Sequence, residues 1–137
     1  MHTLFSILNF LILSTCLQAE NKSEYKKADI ARVSKAKKVV KTDTIGLYVK
    51  GFVCQSCGIG MKKKAANLKF LDKSRFSKGI GVDVPNQLLF FAVTKGSQAD
   101  FTAINKAVEN AGYDPITYYY LKNGKFTSKA ASSATSK

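Results

Sequence analysis

The order of hydrophobic periodicities is the feature that most restricts the fold of this chain. Two kinds of segment follow one another between residues 44 and 121. In one kind the apolar residues alternate with period two, and in the other they recur every three or four positions. The resulting order is strand, helix, strand, strand, helix, strand. This order predicts an α+β fold, a ferredoxin-like βαββαβ sandwich in which two helices cover one face of a four-stranded antiparallel sheet.

The limits of each segment follow from the turn and capping residues between them. The predicted strands cover residues 44–50, 80–84, 88–94 and 116–121, and the predicted helices cover residues 57–68 and 101–111. Ser97 and Asp100 predict a capping box at the start of the second helix, and Gly112 with Pro115 predicts its end. These segments account for one small domain in a chain of 137 residues.

Residues 1–19 are typical of a signal peptide. The segment 4–13 is an apolar run of about ten residues, too short to span a bilayer but suited to the centre of an export signal. Cleavage after Ala19 predicts a periplasmic or secreted protein, with an uncleaved anchor or another cut site as alternatives. Leu13-Ser14-Thr15-Cys16 also resembles a lipobox, and lipidation of Cys16 would make the protein a membrane-anchored lipoprotein instead.

Positive charge is concentrated outside the predicted domain. The formal net charge is +13; residues 20–43 carry eight Lys or Arg against four Asp or Glu, and residues 122–137 add four Lys and no acid. We interpret residues 20–43 as a basic linker or marginal helix and residues 122–137 as a disordered basic tail. No basic stripe is interleaved with stacking aromatic residues, so the sequence does not predict nucleic-acid binding.

Cys54 and Cys57 carry the chemistry that the sequence predicts. They lie at the predicted junction of the first strand and first helix, where a helix N-terminus stabilises thiolates. The only His is His2, inside the predicted signal, and no second pair of cysteines exists, so one chain cannot build a closed tetrahedral zinc site. Two thiolates suit a soft ion such as Cu(I) or Hg(II), and a tetrahedral site would need a metal-bridged homodimer or a partner's cysteines.

These residues resemble the motif of the heavy-metal-associated domain family, which includes copper chaperones, modules of copper-exporting ATPases and the periplasmic mercury-binding protein. The family's Gly-Met-x-Cys-x-x-Cys stands here as Gly51-Phe52-Val53-Cys54-Gln55-Ser56-Cys57, with Phe52 in place of Met. Ala111-Gly112-Tyr113 is similar to the family's Ala-Gly-Tyr before the last strand. The resemblance covers residues 44–121.

The resemblance implies a metal chaperone or scavenger and not an enzyme. Cys54 and Cys57 would bind Cu(I), or Hg(II) or another heavy metal, while Phe52 packs beneath the metal loop and Tyr113 approaches it; a core aromatic is the alternative reading of Tyr113. The implied partner is a metal-transporting ATPase or another exported metal-binding protein with an acidic surface. Lys62 and Lys63, on the basic face of the first helix, are the predicted docking residues, with a solvated helix face as the alternative.

Thiol–disulfide exchange is the main alternative function. Thioredoxin-type oxidoreductases also carry a CxxC motif between a strand and a helix. They usually have Trp before the motif, and this chain has no Trp. An inert disulfide and an interaction module whose cysteines are incidental are further alternatives.

Overall fold

Three helices and one five-stranded antiparallel sheet make up the part of the chain that the computed structural model describes, residues 26–131. The helices are α1 (26–39), α2 (Gln55–Ala65) and α3 (Phe101–Asn110), and the strands are β1 (Thr44–Lys50), β2 (Ile80–Asp83), β3 (Leu88–Ala92), β4 (Asp114–Lys122) and β5 (Lys125–Ala130). The strand order is β2-β3-β1-β4-β5. No helix within these residues is long and apolar enough to cross a membrane. The predictions of a signal peptide and of Cys16 lipidation concern residues outside the described ones.

A fifth strand corrects the prediction of a four-stranded sheet. The composition of residues 122–137 predicts a disordered tail, but Lys125–Ala130 forms β5 and pairs with β4 as far as Thr117↔Ala130. Asn123 and Gly124 connect the two strands, and both have positive φ, 52° and 75°. Positive φ at both central residues defines the turn that Asn-Gly favours in tight hairpins, so this dipeptide is the local signal for the extra strand.

One face of the sheet packs against α2 and α3. Alternate residues of β1 point to this face, since successive side chains of a strand lie on opposite sides. The core residues include Ile45, Leu47 and Val49 of β1, Met61 and Ala65 of α2, and Ile104 and Val108 of α3. Strand β1 has the bounds that the alternation predicts. This core lies directly beneath the loop that joins β1 to α2.

Helix α1 covers the opposite face of the sheet, although the sequence indicates only a linker or a marginal helix there. Ala36 of α1 and the following Val40 pack against Leu88, Phe90 and Tyr119. Apolar side chains on both surfaces of β3 are buried as a result, which explains why Leu88–Ala92 is apolar throughout.

Arg32 fixes α1 to the sheet through polar contacts. Only 6% of the residue is exposed, and its guanidinium carbon lies 3.5 Å from the centre of the Tyr48 ring. Its Nε donates to the Asn86 carbonyl at 3.0 Å, and its guanidinium also pairs with the Asp29 carboxylate. A guanidinium loses water when it is buried, and these partners replace the hydrogen bonds that the water made.

Helix α3 begins later than its predicted cap. The prediction that Ser97 caps the helix is wrong, because Asp100 is the N-cap and its carboxylate accepts the Ala103 N–H at 3.0 Å. The Ser97 N–H instead donates to the Thr94 carbonyl at 2.9 Å in the preceding turn. Gly112 follows the last residues of the helix with a φ of 89°, a conformation that glycine adopts without strain.

Tyr118 gives the fold a predicted sensitivity to alkaline pH. Its hydroxyl lies 2.6 Å from Asn105 Oδ1 and 3.1 Å from the Phe101 carbonyl, and burial raises the pKa of this phenol well above its usual value. Burial also raises the pKa of Tyr119. Because the pKa is raised in the folded state, the contribution of these phenols to stability is fully present below about pH 10, the ordinary tyrosine pKa. This contribution is lost as the pH rises above that value.

We therefore expect the free energy of unfolding to fall between about pH 10 and pH 12, as measured by urea denaturation at each pH. Tyr118→Phe should reduce the slope of this fall. Tyr120→Phe, on the same strand but only partly buried, is the matched control. An unchanged slope in the Tyr118 variant would show that this phenol is not responsible.

Candidate functional site

Cys54 and Cys57 lie where the chain passes from β1 into α2. After Lys50 the chain turns at Gly51, whose φ is 85°, and Cys54 is the N-cap of α2. Cys57 follows in the first turn of the helix. Cys54 is exposed and Cys57 is partly buried. Both cysteines are thus at the strand-to-helix junction that the sequence predicts for them.

The two cysteines form a disulfide, with their Cα atoms 5.3 Å apart. The Cys57 N–H donates to Cys54 Sγ at 3.2 Å, and the Ser56 hydroxyl oxygen lies 3.4 Å from the same sulfur. Free N–H groups at a helix N-terminus carry partial positive charge and stabilise a nearby anion. Cys54 is therefore the sulfur whose thiolate the surroundings stabilise after reduction.

Phe52 and Tyr113 support the cysteine loop from below and from one side. Phe52 is fully buried, and its ring meets the Tyr113 ring edge to face, with centroids 5.8 Å apart. Tyr113 is partly buried and borders the surface next to the cysteines. The structure therefore brings together the four residues that the sequence assigns to the metal loop and its surroundings, Phe52, Cys54, Cys57 and Tyr113.

An open groove with a volume of about 330 Å³ runs beside the disulfide. We call it the cysteine groove; it is lined by Cys54, Ser56, Cys57, Gly60, Lys64, Asn110, Ala111 and Tyr113. The sequence places Lys64 with Lys62 and Lys63 on the basic face of the first helix, as a solvated face or a docking surface, but it does not relate Lys64 or Asn110 to the cysteines. Lys64 follows Cys57 by two helical turns and so shares its face, which is a readable signal. Asn110 comes from α3, and no local pattern relates it to the cysteines.

The predicted docking residues lie outside the cysteine groove. Lys62 is partly buried and lines a separate groove with Gln55 and residues of β2, and Lys63 is exposed. With Lys64 they form the basic last turn of α2. The three lysines therefore face different parts of the surface around one helix.

The ligand set at the loop is limited to sulfur. Within residues 26–131, no group of three or more His, Cys, Asp and Glu side chains is placed to hold a metal ion. A metal bound here by the described residues of one chain would have the two cysteine sulfurs as its ligands. Low-coordinate sulfur ligation is the preference of soft ions.

Gly58 and Gly60 differ in their surroundings and provide a matched pair of substitutions in α2. A Cβ added at Gly60 meets no atom within 4 Å, whereas one at Gly58 would lie 3.2 Å from Val82 Cγ1. Alanine is more favourable than glycine inside a helix by about 1 kcal/mol. We expect Gly60→Ala to raise the free energy of unfolding by about 0.5–1 kcal/mol, and Gly58→Ala to give no such gain, in urea denaturation of the oxidised protein. An equal gain in both variants would contradict the close packing of α2 on β2.

No family model, curated protein or solved structure matches this chain. The resemblance to the heavy-metal-associated family is therefore carried by the residues themselves, Gly51 to Cys57 and Ala111 to Tyr113. A functional assignment has to rest on the geometry of the cysteine loop and of the groove beside it.

Proposed function

We propose that the protein is an exported metal chaperone or scavenger that binds one soft ion, Cu(I) or Hg(II), between the thiolates of Cys54 and Cys57. The observation that carries this proposal is the position of both cysteines at the start of α2, with Cα atoms 5.3 Å apart, Cys54 exposed and its sulfur at the helix N-terminus. Thiolates in this position are stabilised and accessible to an incoming ion. Two such ligands match the low coordination number of these ions.

Metal binding and the disulfide exclude each other in this proposal. The ion requires thiolates, and the sulfurs of a disulfide have no thiolate charge to donate. Two electrons convert the bond into the two ligands. The short Cα separation means that the loop already holds both cysteines near one point before reduction.

The arrangement of elements supports the same assignment. The strand order β2-β3-β1-β4, with α2 and α3 packed on one face, supports a ferredoxin-like sandwich as the proposed core of the fold. We assign residues 44–121 to a heavy-metal-associated domain on this basis. Helix α1 and strand β5 are then additions to it, one on the free face of the sheet and one on its edge.

Competition for Cu(I) tests the proposal. Reduced protein should take the ion from a chromophoric Cu(I) chelator at a ratio of one ion per chain, or one per two chains if a homodimer shares the ion. The oxidised protein is the matched control, because it has the same chain without thiolates. Failure of the reduced protein to compete would contradict metal binding. Export is tested separately, by the intact mass of the mature protein from its host.

The proposed partner is an acidic metal-binding module on a transporter or another exported protein. Lys62→Glu with Lys63→Glu should slow Cu(I) transfer to such a module by about tenfold at low salt, with little change in Cu(I) affinity. Lys26→Glu with Lys27→Glu makes the same charge change on α1 and is the control. The effect should shrink in 0.1 M salt, where charges are screened within about 10 Å. Equal transfer rates for both double variants at low salt would remove the docking role.

Thiol–disulfide exchange is the second candidate, and the disulfide itself favours it. The hydrogen bond from the Cys57 N–H to Cys54 Sγ stabilises the thiolate of Cys54. Dithiol oxidoreductases require one thiolate that is stabilised in this way. Catalysis of insulin reduction at substoichiometric protein concentration would support this candidate. Tight Cu(I) binding without such catalysis would leave metal binding as the function.

A further inference from the structure

The cysteine groove places four different chemical groups on one surface. The disulfide forms one side, Lys64 lies further along α2, and Asn110 and Tyr113 come from the α3 end of the groove. A volume of about 330 Å³ is at the lower limit of small-molecule sites. The groove therefore has the size and the charge to hold a small anion beside the disulfide.

The charge of Lys64 is available for such a ligand. The ion pairs of the described residues join Arg32 to Asp29, Lys35 to Asp83 and Arg75 to Asp43, and none involves Lys64. Glu109 and Asp114 are close in sequence to the α3 end of the groove, but neither lines it. The groove thus has one cationic side chain and no carboxylate in its lining.

We propose that the cysteine groove binds a small anionic thiol, one that carries a carboxylate or sulfonate, and that this thiol reduces the Cys54–Cys57 disulfide. The inference rests on the proposed function, since reduction produces the two thiolates that bind the metal. Lys64 holds the anionic group. The bound molecule's sulfur is then confined next to the disulfide, which raises its effective concentration there.

The reduction proceeds in two exchange steps. The thiolate of the bound molecule attacks Cys57 Sγ, forms a mixed disulfide and expels Cys54 as a thiolate. Cys54 is the better leaving group, because the hydrogen bond from the Cys57 N–H stabilises the negative charge on the Cys54 sulfur. A second thiolate attacks the small molecule's sulfur in the mixed disulfide, which releases Cys57 as a thiolate and forms the small-molecule disulfide. Two thiolates thus supply the two electrons that the protein accepts.

Thiols of similar size and different charge test this inference. The oxidised protein is treated with 2-mercaptoethanesulfonate, 2-mercaptoethanol or cysteamine at equal thiolate concentration, and the reduced fraction is measured by alkylation and mass spectrometry. We expect the anionic thiol to react about fivefold faster than the neutral one, and the cationic thiol to react slowest. Added salt should lower the ratio of anionic to neutral rates.

Two lysine variants separate the groove from the overall positive charge of the protein. Lys64→Gln should bring the ratio of anionic to neutral rates close to one, whereas Lys69→Gln, at an exposed lysine outside the groove, should leave the ratio nearly unchanged. An equal loss in both variants, or no charge preference in the wild type, would overturn the inference. These rates are measured without metal, so their outcome is independent of the Cu(I) titration: protein reduced by a neutral thiol still reports on metal binding.

Discussion

Replacing either Cys54 or Cys57 by serine is expected to lower the Cu(I) affinity of the reduced protein by about a thousandfold or more. Metal sites built from several protein ligands gain about 10–16 kcal/mol in total, so each ligand contributes several kcal/mol. A loss of about 4 kcal/mol corresponds to a thousandfold change in dissociation constant. Among the described residues, no third His, Cys, Asp or Glu joins the two cysteines in a group that could hold the ion, so the loss of one thiolate leaves a single strong ligand.

Competition with a chromophoric chelator measures this affinity in each variant. Ser56→Ala is the matched control, since it keeps both thiolates and removes only the hydroxyl that lies 3.4 Å from Cys54 Sγ. Its affinity should change by less than about a hundredfold, as for partners that contact a ligand without binding the metal. If the variant with serine at both cysteine positions bound Cu(I) with unchanged affinity, the site would lie elsewhere in the chain.

Truncating Phe52 to alanine is expected to lower the free energy of unfolding by about 3–5 kcal/mol. The side chain is fully buried, and it contacts the Tyr113 ring under the cysteine loop. Its removal leaves a cavity, because the neighbouring backbone of β1 and α2 is held by the sheet and by the helix. Part of the cost comes from the lost ring contact, which is worth about 0.5–1.5 kcal/mol.

Urea denaturation of the oxidised protein gives the size of this effect. Phe52→Met keeps most of the volume, so it should cost less than about 1.5 kcal/mol. Val53→Ala, at the next position, alters a side chain that is 69% exposed and should change stability by less than about 0.5 kcal/mol. Equal losses in the Phe52 and Val53 alanine variants would contradict the buried position of Phe52.

The sequence predicts β1 well because its signal is local. Ile45, Leu47 and Val49 alternate with residues of the other face, and a strand of this length needs no distant contact to be recognised. Helix α1 is harder to predict. Its own apolar stripe is thin, and Arg32 is buried only because Tyr48 and Asn86 come from other elements. The residue pattern of a single segment does not indicate contacts with residues of other segments.

Some features of the candidate site can also be predicted from the sequence, and others cannot. The positions of Cys54 and Cys57 follow from the motif and from the junction on which it falls. The cysteine groove combines Lys64 of α2 with Asn110 of α3, whose meeting depends on how the two helices pack. The state of the cysteines, disulfide or thiolate, depends on the redox conditions around the protein, which a sequence pattern does not contain.

The position of α1 also restricts the order in which this chain can fold. Arg32 bonds to Asn86, a residue 54 positions later, and the apolar surface beneath α1 includes Tyr119, which is more distant still. Contacts between residues so far apart in sequence form late, because the entropic cost of closing a long loop comes before any stabilisation from the contact. Synthesis runs from the N-terminus, so α1 is made before β3 and β4. Until α1 packs on the completed sheet, Leu88 and Phe90 stay exposed to water, and this exposure makes the incompletely folded chain prone to aggregation.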